Sequence, residues 1–459
     1  MAAPARRQRH ANPFMYPTVR KVEELVANET RSFYDGRPGP RVTRAESAAV
    51  HGEIMTSARA QEVAALVDAL GGEPGAGAAD AADDPNALPG WYRGPYRLTP
   101  KRARDLPKDG KYFVYQPTGG WGNQRLEMLY AICNCLLWNR TLILPAVAAH
   151  TNGWTGYQSW TKDQLLSAAD VLDIEHMNAL LPTLAWGGTL AELQEAAGHL
   201  SWSITSKPRT GQWSWGRIRG SYIRNRANVI YWNKASMFMC CAHQPRMKDA
   251  AATHITFSPR IRAVARRATA KLGLPDFAWT DRKGVTRTYA GYNAIHVRRG
   301  DHKNYLRRRP DWYMRRMGRG GLIQIPSGYG ESEAHRASPR VAAAVANGRL
   351  PVYVATDEKN RAWFDPFKIA CQKPGVCMVG NRNMKWGGYE LFFAEDLDFA
   401  LLERELFDQL PAETRNDVLG FVEQVVTARS WRFSGAGHST FSYAINFSRR
   451  HMKEMKMNE

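Results

Sequence analysis

The stretch from Tyr112 to Pro145 reads YFVYQPTGGWGNQRLEMLYAICNCLLWNRTLILP. It opens and closes with short apolar runs, YFVY and TLIL, rich in aromatic and β-branched side chains, as in buried strands. Between them a glycine-rich loop leads into a segment whose leucine and cysteine side chains recur at helical spacing. The stretch therefore predicts a strand, a loop, a helix and a second strand, with Arg125 and Glu127 on the exposed side of the helix.

A second alternating region begins at Tyr292. Its apolar segments NAIHV, PVYVATD and VCMVG predict strands, and helical patterns run from Glu390 to Leu410, from Thr414 to Arg429 and after Phe441. This order is typical of a parallel sheet covered by helices, and such sheets bind ligands at the carboxyl ends of their strands. The predicted fold is α/β, with two such units facing a central cleft.

Length and composition predict the domain organisation. The chain has 459 residues, more than one hydrophobic core usually organises. Residues 71–90 are rich in Gly, Ala and Asp and contain almost no large apolar side chain, which predicts a linker. We therefore expect an N-terminal extension and flexible linker at 1–90, one Rossmann-like domain at 91–270 and another at 271–459.

The charge balance and the cysteines narrow the classes of partner. Lys and Arg total 63 against 43 Asp and Glu, a formal net charge of +20. This excess favours a polyanion, an acidic membrane or a phosphate-bearing ligand, and charge alone does not choose among them. No zinc-type pair of CxxC elements occurs, so a structural zinc is not expected. Cys371 and Cys377 bracket a short turn and are predicted either to pair or to stay free thiols.

The first candidate motif is HVRRGD, from His296 to Asp301, which follows an apolar run and so lies at the carboxyl end of a predicted strand. An arginine there presents a planar fork of donors to phosphate oxygens, and a neighbouring Asp can hold it in place. Arg298 is therefore the first candidate for a diphosphate contact. The alternative is a solvated turn with a local ion pair.

The second motif, VATD, ends another predicted strand in the carboxylate of Asp357. One carboxylate can accept both N1–H and N2–H of guanine, so Asp357 could recognise that base. An Asp at a strand-to-helix turn is also a frequent helix cap, and this alternative stays open.

The third motif is GAGHSTFS, from Gly435 to Ser442, a glycine-rich turn leading into the helical pattern FSYAINFSRR. Backbone amides at a helix N-terminus, together with the hydroxyls of Ser439 and Thr440, would suit a β-phosphate. An ordinary Ser or Thr cap is the alternative.

The fourth motif is the loop GGWGNQR, from Gly119 to Arg125. It lacks the Lys-Ser/Thr ending of a P-loop and is a poor dinucleotide fingerprint, so ATPase and dehydrogenase functions lose support. Small residues allow a backbone to approach a sugar, and Asn123 could cap the helix, bind donor oxygens, or do both.

These four motifs, in this order, resemble four segments of the protein O-fucosyltransferase group, which includes plant O-fucosyltransferase-like proteins and is related to α1,6-fucosyltransferases. The resemblance spans roughly Lys111 to Met452. It implies a GT-B architecture of two Rossmann-like domains around a cleft. It also implies inverting transfer of fucose from GDP-fucose to a hydroxyl of a protein or glycan, with no cofactor and no metal.

The resemblance also implies roles for individual residues. Arg298 would bind the diphosphate, Asn123 would face the donor sugar, and both are the catalytic candidates. Asp357 would contact guanine. The donor contacts implied besides Arg298 and Asn123 are Gly120, Gly122, His296, Arg299, Asp301, Asp357, Ser439, Thr440 and Phe441.

The chain also departs from its relatives. Some of them place a carboxylate in the glycine loop, where this chain offers Trp121 and Asn123, so the general base is unassigned. Relatives usually work in the secretory lumen, yet the basic start MAAPARRQRHANPFMYPTVRK lacks the apolar run of a signal peptide, and no segment reaches transmembrane length. In the Trp-rich region from His150 to Met247, core packing is the preferred interpretation and an acceptor surface the alternative.

An Asp-x-Asp triplet occurs from Asp396 to Asp398, the spacing that coordinates a metal in metal-dependent glycosyltransferases. It falls within ELFFAEDLDFALLERELF, which predicts an amphipathic helix with its leucines inward, so we prefer a solvated helix face to a metal site.

The rival function is a polyanion-binding protein, in which the arginine run from Arg298 to Arg319 grips nucleic acid or an acidic glycan without any transfer. No signature of a common nucleic-acid module appears in the sequence, and nucleic acid is therefore not an expected partner.

Overall fold

The computed structural model describes residues 95–148, 165–205, 225–232, 245–270, 276–280, 286–299, 308–310, 312–313, 343, 346–347, 349–368, 388–408, 410, 412–436, 439–452, 455 and 457. The predicted extension at 1–90, the VCMVG segment, Asp301 and the pair Cys371 and Cys377 lie outside these residues. Among the residues described, no helix combines the length and the hydropathy that crossing a membrane requires.

Strands and helices are numbered separately in chain order. The strands are β1 Arg97–Leu98, β2 Tyr112–Tyr115, β3 Thr141–Leu144, β4 Val147–Ala148, β5 Leu165–Leu166, β6 Thr183–Trp186, β7 Trp202–Thr205, β8 Val229–Trp232, β9 Asp276–Thr280, β10 Thr286–Ala290, β11 Asn293–Val297, β12 Leu350–Thr356, β13 Tyr389–Phe392 and β14 Phe433–Ser434. The α-helices are α1 Pro100–Arg104, α2 Trp121–Trp138, α3 Ala168–Val171, α4 Ile174–Asn178, α5 Leu190–Ala196, α6 Pro245–His254, α7 Pro259–Ala270, α8 Asp365–Lys368, α9 Phe399–Leu402, α10 Ala412–Arg429 and α11 Thr440–Arg450. Two 3-10 helices and one π-helix lie at Arg361–Phe364, Ala394–Asp396 and Glu403–Phe407.

The first half of the described chain is built on a parallel sheet of six strands in the order β1-β6-β3-β2-β8-β7. The unit predicted from Tyr112 to Pro145 is confirmed, because β2, α2 and β3 follow one another there. All four residues of β2 are buried. A strand covered on both faces reads as a continuous apolar run, which is why YFVY carries no polar alternation.

The second half contains a parallel sheet of four strands in the order β13-β12-β11-β14. The predicted strands NAIHV and PVYVATD are confirmed as β11 and β12, and the predicted helices near Thr414 and Phe441 as α10 and α11. The protein is thus a mixed α/β protein with two parallel sheets. The GT-B arrangement and the domain boundary at residue 270 stay predictions.

A single cluster of buried apolar side chains includes residues of both sheets, among them Phe113 on β2 and Ala294 on β11. Trp121 at the start of α2 packs its ring 4.7 Å from that of Phe421 on α10. Within the Trp-rich region, Trp232 on β8 is buried and its ring lies edge-on to Phe113 at 5.2 Å. That tryptophan belongs to the core, as core packing predicts.

The prediction that Arg125 and Glu127 lie on the exposed side of their helix is wrong. Both side chains are buried, because α2 is covered on more than one face. Arg125 donates from Nη1 to Gln424 Oε1 on α10 at 3.0 Å, and from Nη2 to the Ile255 carbonyl at 2.9 Å and to Ser448 Oγ on α11 at 3.4 Å. Burial lowers the pKa of Arg125 to about 10, so the side chain is still charged at neutral pH.

The helix predicted from Glu390 to Leu410 is wrong in its first part. Residues Tyr389 to Phe392 form β13, whose Leu391 lies opposite Val352 of β12 in parallel register. Helical structure follows only after this strand, in short pieces. The apolar residues fit either a helix face or a strand covered on both sides, and hydrogen bonding to β12 decides for the strand.

Replacing Arg125 by Met is expected to lower the free energy of unfolding by about 3 kcal/mol, because the acceptors on α10 and α11 would be left buried without a charged donor. Urea denaturation measures the effect. The matched control is Arg104→Met on α1, where the side chain is exposed and the change is expected to stay within about 0.5 kcal/mol. Equal effects of the two substitutions would show that Arg125 does not tie the helices together.

Candidate functional site

Three of the four motifs leave the second sheet at the same edge. The strand β11 lies between β12 and β14, with Val297 opposite Thr356 and Ile295 opposite Ser434. Because these strands are parallel, the residues that follow them emerge side by side at the carboxyl edge, where α/β sheets bind ligands. Arg298 and Asp357 are therefore neighbours in space, and β14 ends at Ser434 beside β11.

Asp357 holds the two arginines of the first motif. Its Oδ2 lies 3.3 Å from Nη1 of Arg298, and its Oδ1 accepts a hydrogen bond from the backbone N–H of Arg299 at 2.7 Å. The capping alternative does not describe this aspartate, because the following 3-10 helix is capped by Asn360. The Arg298 side chain is 32% exposed, so the ion pair stands at the surface of the edge.

Arg299 has a different environment from its neighbour. Its Nε lies 2.8 Å from Glu358 Oε2, and its guanidinium stacks 4.4 Å above the ring of Trp363. Its Nη1 donates to the Arg308 carbonyl at 3.0 Å. Among the described residues, both arginines therefore form ion pairs with the two carboxylates that directly follow β12.

His296 is a buried, neutral histidine one residue before the end of β11. Its Nδ1 lies 2.7 Å from Ser442 Oγ on α11, and its ring lies 4.7 Å from that of Phe441. Burial, reinforced by the positive charge of Arg298, lowers the pKa of His296 to about 3. The imidazole therefore acts at neutral pH as a hydrogen-bonding group and not as a cation.

The glycine loop of the first half meets the start of α11. A Cβ at Gly122 would collide with Thr440 Oγ1 and lie 3.1 Å from the backbone nitrogen of Phe441. Thr440 Oγ1 donates to Asn123 Oδ1 at 3.3 Å. Asn123 lies inside the first turn of α2, whose N-cap is Gly120 without a side-chain cap, so Asn123 does not cap this helix. The fourth motif is thus in direct contact with the third.

Ser439 occupies the N-cap position of α11, and its side chain makes no capping hydrogen bond. The simple cap that the sequence offered as the alternative for this segment is therefore not what the structure contains. Two other hydroxyl groups of the motif have partners outside it, Thr440 with Asn123 and Ser442 with His296.

Sequence reasoning missed Glu127 as part of the loop. Its Oε2 accepts a hydrogen bond from the backbone N–H of Thr118 at 2.8 Å, and its Oε1 accepts from the Thr118 hydroxyl. Gln124 Nε2 donates to the Gly119 carbonyl at 2.9 Å, closing the same loop. A carboxylate one turn after a glycine loop was the available signal, and helical periodicity placed it on the wrong face.

The carboxylates of the Asp-x-Asp triplet serve local structure. Asp396 Oδ2 accepts from the backbone N–H of Phe393 at 2.8 Å, and Asp398 Oδ1 accepts from that of Leu401 at 3.2 Å. No group of three or more His, Cys, Asp or Glu suited to a metal ion occurs in the described part of the chain. The metal-independence of the reaction stays a prediction.

The candidate site residues therefore fall into two sets joined by α11. Gly122 and Asn123 contact the first residues of α11. His296, which lies two residues before Arg298, contacts Phe441 and Ser442 of the same helix. A small, mostly apolar pocket lies next to Gly122 and Thr440. Asp301 is outside the described residues.

No protein-family model and no curated protein sequence matches the chain. Among solved structures, POFUT1 in complex with GDP-fucose matches at 12% identity and a TM-score of 0.40, covering 75% of this chain and 95% of that one. Fucosyltransferase NodZ from Bradyrhizobium matches at 13% identity and a TM-score of 0.37, covering 74% and 93%. A likeness at this level carries no conclusion about activity.

We expect His296 to remain neutral from pH 8 down to pH 5, because the folded protein holds its pKa near 3 against an ordinary value of 6.5. Proton NMR of the ring Cε1–H across that range measures it. In the same range the unfolded chain takes up a proton, so this group makes the fold less stable as the pH falls below 6.5 towards 3. A midpoint for His296 near 6.5 in the folded protein would contradict its burial between β11 and α11.

Proposed function

We propose that this protein is a fucosyltransferase that moves fucose from GDP-fucose to a hydroxyl of a protein or glycan. The transfer inverts the configuration at the anomeric carbon and uses no metal ion. The observation that carries the proposal is the position of Arg298. This guanidinium stands at the carboxyl edge of a parallel sheet, is held by Asp357 at 3.3 Å, and lies two residues from a buried neutral histidine.

The chemistry asks for stabilisation of a departing diphosphate. In a single displacement, the bond from the sugar C1 to the β-phosphate oxygen breaks while a bond from C1 to the acceptor oxygen forms. The acceptor hydroxyl gives its proton to a base or to solvent water, and negative charge develops on GDP. Cationic donors that already point at that oxygen lower the barrier, because they need no reorganisation at the moment of reaction. We assign this part to Arg298, whose planar fork matches two phosphate oxygens.

The segment from Ser439 to Phe441 would hold the phosphates or the base through backbone amides at the start of α11. In the structure the Thr440 hydroxyl hydrogen is directed to Asn123. A phosphate bound there would compete for that hydrogen, so its arrival would release the Asn123 amide towards the sugar. We therefore propose that Asn123 and Thr440 act together, with Gly120 leaving room for the donor and Gly122 letting Thr440 approach the loop.

Asp357 would read guanine while holding Arg298. In the structure one carboxylate oxygen accepts a hydrogen bond from the Arg299 N–H, and the other forms the ion pair with Arg298. A carboxylate has about four acceptor positions, so two remain for N1–H and N2–H of the base. Arg299 pairs with Glu358 and stacks on Trp363. We propose that Arg299 and Asp301 support the segment after β11, while Arg298 contacts the phosphates.

Calorimetry with GDP, UDP, ADP and their sugars in the presence of a chelator tests the proposal. We expect GDP to bind most tightly, and Arg298→Ala to weaken GDP binding at least tenfold, since a charge-assisted hydrogen bond contributes about 1.5–3 kcal/mol. Arg404→Ala is the matched control, because that side chain is 75% exposed and far from the motifs in sequence. It is expected to leave the affinity unchanged.

Preference for UDP, or a strict requirement for Mn²⁺, would refute the fucosyl assignment. Binding without nucleotide preference and with a steep dependence on salt would instead support the polyanion-binding function.

A second experiment separates the two tasks of Asp357. In Asp357→Asn the side chain keeps an oxygen for the Arg299 N–H but loses its charge and turns an NH₂ group towards the base. We expect the preference for GDP over ADP to fall by about tenfold, on the scale of one charged hydrogen bond. Glu395→Gln, an exposed carboxylate paired with Arg361, is the control. If GDP and ADP lose affinity equally, Asp357 holds Arg298 and does not read guanine.

A further inference from the structure

The hydrogen bond between His296 and Ser442 joins β11 to α11 across 146 positions of the chain. The two polar atoms are 2.7 Å apart, and both side chains are more than nine-tenths buried. A serine inside a helix usually turns to water or to the carbonyl four residues earlier. Here its hydroxyl lies instead against the imidazole of His296.

The surroundings of Ser442 are arranged around that hydroxyl. A Cβ at Gly435 would lie 2.6 Å from Ser442 Oγ and 2.7 Å from its Cβ, so only glycine leaves room at that place. Gly435 does not have a positive φ, and its backbone conformation therefore does not require glycine. On the other side, the Phe441 ring packs at 4.7 Å from the imidazole. The ring of His296 is thus held from two consecutive residues of α11.

A neutral imidazole has one N–H, and its partner decides which nitrogen carries it. If the Ser442 hydroxyl donates to Nδ1, the hydrogen stays on Nε2 and the ring offers a donor at its other nitrogen. If Nδ1 donates to Ser442, Nε2 becomes an acceptor and would repel an anion. Only the first arrangement suits a histidine placed two residues before the proposed diphosphate contact.

We propose that Ser442 is a positioning residue, which donates to His296 Nδ1 and thereby fixes the imidazole in the tautomer that presents Nε2–H to the diphosphate. The role of the diphosphate rests on the proposed function. The choice of tautomer is independent of the proposed function, since it depends only on the hydrogen bond between His296 and Ser442. Gly435 contributes to the same positioning, because the absence of a side chain there leaves the space that Ser442 occupies.

The test uses the full chain with ¹⁵N-labelled histidine and no nucleotide. Long-range ¹H–¹⁵N spectra report which ring nitrogen of His296 carries the hydrogen. We expect Nε2–H alone in the unsubstituted protein and a mixture of both tautomers in Ser442→Ala. The control is Ser448→Ala, the same change on the same helix at an equally buried site without contact to His296. A hydrogen on Nδ1 in the unsubstituted protein, or an unchanged tautomer in Ser442→Ala, would overturn the inference.

GDP binding by the same variants supplies the second measurement. We expect Ser442→Ala and Gly435→Ala each to weaken GDP about tenfold, while Ser448→Ala and Gly420→Ala stay within twofold. Gly420 is the matched glycine, because a Cβ added there meets nothing within 4 Å. If GDP affinity falls equally in the test and control variants, Ser442 serves packing and does not orient His296. If the unsubstituted protein binds no GDP, the proposed function fails, and the tautomer spectra still decide whether Ser442 orients the ring.

Discussion

The buried guanidinium of Arg125 is the constraint on which the relation of the two halves depends. From the first turns of α2 it donates to Gln424 on α10, to the Ile255 carbonyl and to Ser448 on α11. A buried cation without such acceptors is strongly unfavourable, so α2 can pack only where these segments surround it. The same requirement sets the glycine loop at the start of α2 against the first residues of α11, and thereby brings the fourth motif to the third.

At the carboxyl edge of the second sheet, cationic side chains are also paired, although they are partly exposed to solvent. Two adjacent arginines repel each other, and the structure gives each its own carboxylate, Asp357 for Arg298 and Glu358 for Arg299. Burial keeps His296 uncharged, so it adds no third positive charge. The Arg298 side chain is 32% exposed and that of Arg299 is 15% exposed, so Arg298 is the more accessible of the two for the diphosphate of the proposed function.

The sequence predicted the parts of the fold that depend on local pattern. Apolar runs marked β2, β11 and β12. Because polar motifs follow β11 and β12, the carboxyl edge of the second sheet was predictable as the place of a site. Arg125 was not, because periodicity puts charge outside, and its partner Gln424 lies 299 positions away. The strand β13 was mistaken for a helix because its residues fit both patterns. The pairing of His296 with Ser442 was equally out of reach, since nothing local to either residue points to the other.

The glycines of two motifs acquire a different meaning in the folded protein. Gly122 lies against Thr440 and Gly435 lies against Ser442, and neither has a positive φ. Each glycine therefore serves close packing against a hydroxyl residue in the first turn of α11. That turn is contacted from both halves of the molecule, by Gly122 of the glycine loop and by Gly435 of the segment that precedes α11. Because its hydroxyls contact Asn123 and His296, any shift of the turn moves candidate groups of both halves together.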